Sequence, residues 1–137
     1  MKFYRTKVGK IKGKRYSEVY KKARAIYDTL NRNSKRKAHV RSIYFKREKI
    51  FLDLFWSHLF EKKSFKDQIR RLRYYNCALN LIKNSTLAPT SKLNKDKPSE
   101  TLHRFSGTTL EGDVFFVQIK ENNVTNKKWL ISVFPSK

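Results

Sequence analysis

"LHRFSGTTLEGDVFFVQIKENNVTNKKWLISVF", residues 102–134, decides how this chain folds. Three runs rich in β-branched and aromatic residues are separated by turn signals, Gly112-Asp113 and then "ENNVTNKK". The pattern predicts three antiparallel strands. Side chains alternate across a strand. Phe115, Val117 and Ile119 therefore share one face of the middle strand, and Trp129, Ile131 and Val133 share one face of the last. If these apolar sets pack inward, Arg104, Gln118, Lys120 and Ser132 emerge together on the other face, among Phe116, Leu130 and Phe134. Two cations, an amide and a hydroxyl between rings suit a phosphate flanked by bases. Arginine offers a planar fork to phosphate oxygens, and aromatic rings stack on unpaired bases. The solvent side of an ordinary antiparallel sheet also carries polar residues, so the face is a candidate rather than an assignment.

Upstream of the strands, residues 84–100 read as a polar loop with two prolines. Ser64 with Asp67 forms a capping-box-like start for a helix that runs to about Asn84. Phe65, Ile69, Leu72, Tyr75, Leu79 and Ile82 line its apolar face. Asp53 caps a short helix in "LFWSHLFEK". "SIYFKREKIFLD" resembles a hairpin, with a helix as its competitor, because short apolar runs are ambiguous. A further helix, capped by Ser17, runs to about Asn31 with Tyr16, Val19, Tyr20, Ala23, Ile26, Tyr27 and Leu30 at helical spacing. Residues 1–16 form an extended or mobile basic arm.

Charge dominates the composition. The chain of 137 residues holds 33 Lys+Arg against 11 Asp+Glu, a net charge of +22. Self-repulsion of that size favours an anionic partner: nucleic acid, anionic lipid or an acidic protein. Residues 1–49 carry 18 of the cations and three acids. With 14% aromatic residues, the chain is too rich in core-forming side chains for a disordered tail. The length suits one domain. We divide it into a basic arm and first helix (1–49) and a core (50–137). Cys77 is the only cysteine, and His39, His58 and His103 lack zinc-type spacing, so neither metal nor cofactor is expected. No apolar run approaches the ~20 residues of a membrane span, and the basic N-terminus lacks the apolar stretch of a secretory signal. The expectation is a soluble cytoplasmic protein without membrane partners.

The segments "SHLFEKKSFKDQIRRLRYYNCALNLIKNSTLAPTS" and "LHRF…VFFVQIK…WLISVFP" together resemble the phage-type members of the barnase–EndoU–colicin–RelE-like (BECR) nuclease superfamily. The similarity covers about residues 50–135. His58, with Leu59 and Lys62, stands where the family's helix histidine stands. "IKNSTLAPTS" follows the long helix as in the family, with Ser85 in place of its proline. Arg104 matches the basic strand residue, and Ser132 matches the hydroxyl residue of the last strand. The resemblance implies an α+β fold, with N-terminal helices packed on a small antiparallel β-sheet. It also implies metal-independent RNA cleavage, often as a toxin against the translation machinery.

Such cleavage needs a base for the 2′-hydroxyl proton, a cation for the phosphate and an acid for the leaving oxygen. His58 is the first candidate for a proton role, since the histidine side chain as a class exchanges protons near neutrality. Glu61, one helical turn away, can orient the ring. A buried histidine satisfied by Glu61 is the plainer alternative. Arg104 is the candidate for phosphate charge, by the logic of an oxyanion clamp, and Ser132 for a hydrogen bond to a phosphate oxygen. Lys120 or His103 is the candidate for the second proton group, although alternation points His103 inward. Lys62, Lys63, Gln118, Arg15, Lys35, Arg36, Lys37 and Arg41 are candidate nucleic-acid contacts. The expected function is a ribonuclease acting on tRNA, mRNA or rRNA, with an acidic antitoxin or immunity protein as a further partner. A non-catalytic RNA- or DNA-binding protein and a module that docks an acidic protein are the alternatives.

Overall fold

The computed structural model describes residues 2–62 and 64–136. Lys63, expected among the RNA contacts, lies outside the described residues. In chain order the elements are β1 (Tyr4–Arg5), α1 (Tyr16–Arg32), β2 (His39–Ser42), β3 (Glu48–Phe51), α2 (Asp53–Phe60), α3 (Phe65–Leu72) and α4 (Tyr75–Asn84). They are followed by β4 (Thr90–Leu93), β5 (Glu100–Thr108), β6 (Val114–Asn122) and β7 (Lys128–Pro135). The fold is α+β.

The strands form one mixed sheet in the order β1-β5-β6-β7-β3-β2, with β4 also on β5. The expected small, all-antiparallel sheet is therefore corrected. β1 runs parallel to β5 and β3 parallel to β7. Three of the four helices lie between β3 and β4, so the helices are not an N-terminal layer. The correction has two local causes. The expected hairpin forms, but its first strand is "HVRS", and Ile43–Phe45 fall in a turn that closes with Lys46 and Arg47 at positive φ. Its second strand then pairs with β7 at Ile50↔Lys128 and Phe51↔Trp129. The loop expected over 84–100 contains the edge strand β4, exposed along its length and paired with β5.

The long helix expected to end near Asn84 is two helices. Its first turn matches the expectation, with Asp67 N–H donating to Ser64 Oγ over 3.3 Å. The break comes at Arg73 and Tyr74, where the basic arm docks. Ile11 N–H donates to the Arg73 carbonyl over 2.8 Å, and the Arg73 guanidinium donates to the Ile11 and Gly13 carbonyls. In a continuous helix the Arg73 carbonyl would accept from Cys77 N–H; here it accepts from the arm, and Tyr74 N–H makes the i→i−3 bond of a tighter turn to the Arg71 carbonyl. Leu72, Tyr75, Leu79 and Ile82 are buried as expected, while Phe65 is exposed, its ring tilted against that of Tyr16 with the centroids 5.3 Å apart. The arm is an ordered part of the body: Thr6 and Ile11 are buried, and Lys10 N–H donates to the Glu111 carboxylate.

The core lies between the inner sheet face and the helices. Phe105, Phe115, Val117, Ile119, Leu130 and Val133 meet α4 and α2 there. Leu81 of α4 comes so close to β5 that a Cβ on Gly107 would stand 2.7 Å from its Cδ1, which is why a residue without a side chain occupies that strand position.

One strand face differs from simple alternation. Gln118 pairs with Ser132, but Ile119 pairs with Leu130, so Ile131 is an extra residue. This bulge resets the alternation. Leu130 and Val133 both point inward and are fully buried. Trp129, expected inward, emerges on the outer face, and Leu130, expected outward, fills the core.

Candidate nucleic-acid interface

The outer sheet face is organised by register. Arg104 pairs with Gln118, and Gln118 with Ser132, so three of the expected residues form one row across β5, β6 and β7. Two residues further along β6, Lys120 pairs with Trp129, which pairs with Phe51, which pairs with His39. Phe116 and Phe134 pair at the other end, their rings 5.5 Å apart. Because α4 packs against the inner face, these side chains keep partial exposure, and Arg104 is exposed.

His58 sits near the end of α2, a helix held against β7 by Phe55 and Leu59. Its side chain is 44% exposed, and Nδ1 lies 3.6 Å from a Glu61 carboxylate oxygen. His58, Lys62, Arg71 and Ser132 line one hollow of ≈ 70 Å³, with Phe55, Leu59, Ile131 and Val133 as its apolar walls. The structure thus brings His58, Lys62 and Ser132 together.

Arg71 completes the hollow, a position that the sequence pattern does not single out. Its Nε donates to Asp67 Oδ2 over 3.2 Å, and Nη1 donates to Ser132 Oγ over 3.0 Å. Helical spacing places Asp67 and Arg71 on one face of α3, and that was the available signal in "KDQIRRLR". What the sequence does not show is that α3 lies beside β7. Arg104 lines a different hollow, of ≈ 220 Å³, with Lys2, Ser85, Thr90 and Ser106 among its neighbours. The two arginines are linked through Phe134, whose ring centroid lies 5.9 Å from the Arg71 guanidinium and 5.4 Å from that of Arg104. Both contacts fall within the range of cation–π attraction.

Lys120 is held elsewhere. Its Nζ lies 3.4 Å from Glu100 and 5.3 Å from the centre of the Trp129 ring. His103 is buried, with Nδ1 2.6 Å from Ser91 Oγ and Nε2 2.8 Å from Glu121 Oε1. Glu121 in turn faces the buried Lys128, which is bound to Glu48. With both ring nitrogens engaged, His103 is a structural link between β4, β5 and β6. Among the described residues, no three His, Cys, Asp or Glu side chains gather where a metal ion could sit.

The remaining expected contacts divide. Lys35, Arg36 and Lys37, from the connector after α1, line a hollow of ≈ 480 Å³ together with His39, Lys49, Phe51, Lys127 and Trp129. Arg41 is exposed on β2, donates to the Arg47 carbonyl over 3.0 Å, and lies directly opposite Lys49. Arg15 is the N-cap of α1 and lines neither this hollow nor the one at His58.

No helix among the described residues is long and apolar enough to cross a membrane. No family model matches the chain, and neither curated proteins nor solved structures give a match.

Proposed function

We propose that this protein is a metal-independent ribonuclease that acts on RNA lying across the outer sheet face. One observation carries the reading: His58, Lys62, Arg71 and Ser132 line a single hollow at the margin of an open, cationic and aromatic sheet. In this reading His58 takes the 2′-hydroxyl proton, with Glu61 orienting the imidazole. The 2′-oxygen attacks phosphorus, the bond to the 5′-oxygen breaks, and that oxygen is protonated by solvent water. The product is a 2′,3′-cyclic phosphate. Arg71 and Lys62 stabilise the charge that grows on the phosphate. Ser132 accepts from Arg71, which leaves its own O–H free to donate to a phosphate oxygen. Arg104 holds a neighbouring phosphate from the far side of the row. An acidic inhibitor protein would compete for the same face.

The test is cleavage of a labelled RNA in EDTA. The expected result is a cyclic-phosphate end that falls by about 10²–10⁴-fold in His58→Ala and about 10²–10³-fold in Arg71→Ala. Full activity in both variants overturns the proposal.

A non-catalytic RNA-binding protein is the second reading. It is favoured by the larger hollow at Lys35–Lys37, which gathers cations and rings without any carboxylate in its lining. It predicts salt-sensitive binding with the RNA intact after long incubation.

A further inference from the structure

The ≈ 480 Å³ hollow has a composition that the cleavage step does not use. Register sets its floor. His39, Phe51 and Trp129 are consecutive partners across β2, β3 and β7. The His39 and Phe51 ring centroids are 6.1 Å apart, and those of Phe51 and Trp129 are 6.4 Å apart. Trp129 belongs to this floor only because the bulge at Ile131 turns it outward.

Cations from three separate segments surround the floor. Lys35, Arg36 and Lys37 come from the connector, Lys49 from β3, and Lys127 from the turn before β7. Lys37 has a partner, with Nζ 3.5 Å from Asp53. Among the described residues, Lys35, Arg36, Lys49 and Lys127 have no carboxylate within ion-pair reach. Lys49 also stands directly opposite Arg41, and like charges facing each other across a strand pair are destabilising. The hollow therefore holds uncompensated positive charge around half-exposed rings.

A ligand relieves both conditions only if it carries a flat π-face and an anion in one unit. An anionic headgroup supplies no ring, and an acidic peptide supplies charge without a stacking plane at each anion. A nucleotide supplies both, and ≈ 480 Å³ lies within the usual range of small-ligand sites. Several cations, spread over three segments, exceed what one phosphate engages, which favours a strand over a free mononucleotide. We infer that this hollow takes an unpaired nucleobase of single-stranded RNA on Phe51 and Trp129, with the flanking phosphates on Lys35, Arg36, Lys49 and Lys127. The inference rests on the reading of the outer face as an RNA surface, and not on cleavage. Across the bulge, Trp129 and Ser132 stand opposite Lys120 and Gln118, two residues apart on β6, about 7 Å at ~3.3 Å per residue, so a short oligonucleotide spans this hollow and the one at His58.

The test uses the full chain with His58→Ala, in EDTA at low salt, titrated with a single-stranded RNA octamer while tryptophan emission is followed. Trp56 is buried in the core and gives a constant background. Binding is expected to quench Trp129. Trp129→Ala should weaken binding about 5- to 160-fold, the range for loss of one base–aromatic stack. Trp129→Phe should keep most of the affinity and lose the signal. Lys49→Glu with Lys127→Glu, both on exposed side chains, is a second variant that spares the core and should weaken binding at least as much. Unchanged affinity in both Trp129→Ala and the double charge variant overturns the inference. So does a duplex of the same length that binds equally and depends equally on Trp129, because the base must be unpaired. A mononucleotide that binds as tightly as the octamer overturns the strand assignment. Because the titration uses the His58→Ala chain, failure of the cleavage reading leaves this result standing, and failure here leaves that reading standing.

Discussion

At the residue scale, the proposed cleavage would give Arg71 a second task beside its bonds to Asp67 and Ser132. Its guanidinium is fixed on one side by Asp67 and on the other by Ser132. A planar fork can hold both partners and still offer donors to a phosphate, whereas an ammonium is a single point of charge. Arg71→Lys therefore keeps the positive charge but loses the pairing with Asp67 and Ser132 together. The expected outcome is near-parental binding of uncleaved RNA with a fall in kcat of about ten-fold or more, since a misplaced clamp lowers transition-state stabilisation more than binding. The measurement is single-turnover cleavage beside an equilibrium titration. Equal losses in binding and rate would assign Arg71 to affinity alone. His58 contrasts with His103 at the same scale. Both have a glutamate neighbour, but His103 has both nitrogens engaged in a buried cluster, while His58 is 44% exposed in a lined hollow.

At the scale of elements, what was legible in the sequence was whatever a local period encodes. The alternation in "VFFVQIK" gave β6 both its faces, and Ser64 with Asp67 gave the start of α3. The row Arg104–Gln118–Ser132 was legible for the same reason. Three features were not. The bulge at Ile131 leaves no mark in the mostly apolar run "WLISVF", so strict alternation puts Trp129 inward. The break at Arg73 is made by a carbonyl that the arm takes, a contact sixty-two residues away in sequence for the guanidinium as well. Arg71 was invisible because only packing brings α3 to β7. The arm itself is fastened by electrostatics. Lys10 N–H donates to both Glu111 carboxylate oxygens, and Lys10 Nζ lies 2.7 Å from Asp113. Burial pushes the Glu111 carboxyl up, but hydrogen bonds from its own backbone, Thr109 and Lys10, with the Lys10 charge, hold it below its ordinary value of 4.5. A depressed carboxyl contributes stability that is full above the unfolded pKa and is lost as pH falls through the folded one. Protection factors of the amides at residues 6–11, with the intrinsic exchange rate at each pH divided out, should therefore fall below about pH 4.5 before those of the β5–β6 amides do. Glu111→Gln should expose the arm at neutral pH and remove that acid step. An acid step that persists unchanged in Glu111→Gln would place the tie elsewhere.

For the whole molecule, the distribution of charge matters more than its total. A net charge of +22 would predict strong binding to any polyanion wherever the cations sat. Here the two hollows and the row between them collect Lys62, Arg71, Arg104, Lys35, Arg36 and Lys49 along one sheet and its margin. Arg15 and the exposed cations of α1 stand apart from those hollows. If the sheet is the RNA surface, affinity for a single strand falls with salt at about −0.7 per phosphate engaged, so six engaged cations give a log–log slope near −4. Neutralising Lys35, Arg36 and Lys49 by alanine should make that slope shallower by about 2. Neutralising Lys21, Lys22 and Arg32 on α1 removes the same net charge and should leave the slope within about 0.5 of the parent. Nitrocellulose or anisotropy titrations between 50 and 300 mM salt, at roughly five concentrations, resolve the difference. Equal changes in slope for the two triple variants would mean that net charge, and not the arranged face, holds the RNA, and the sheet surface would then have no special claim as the interface.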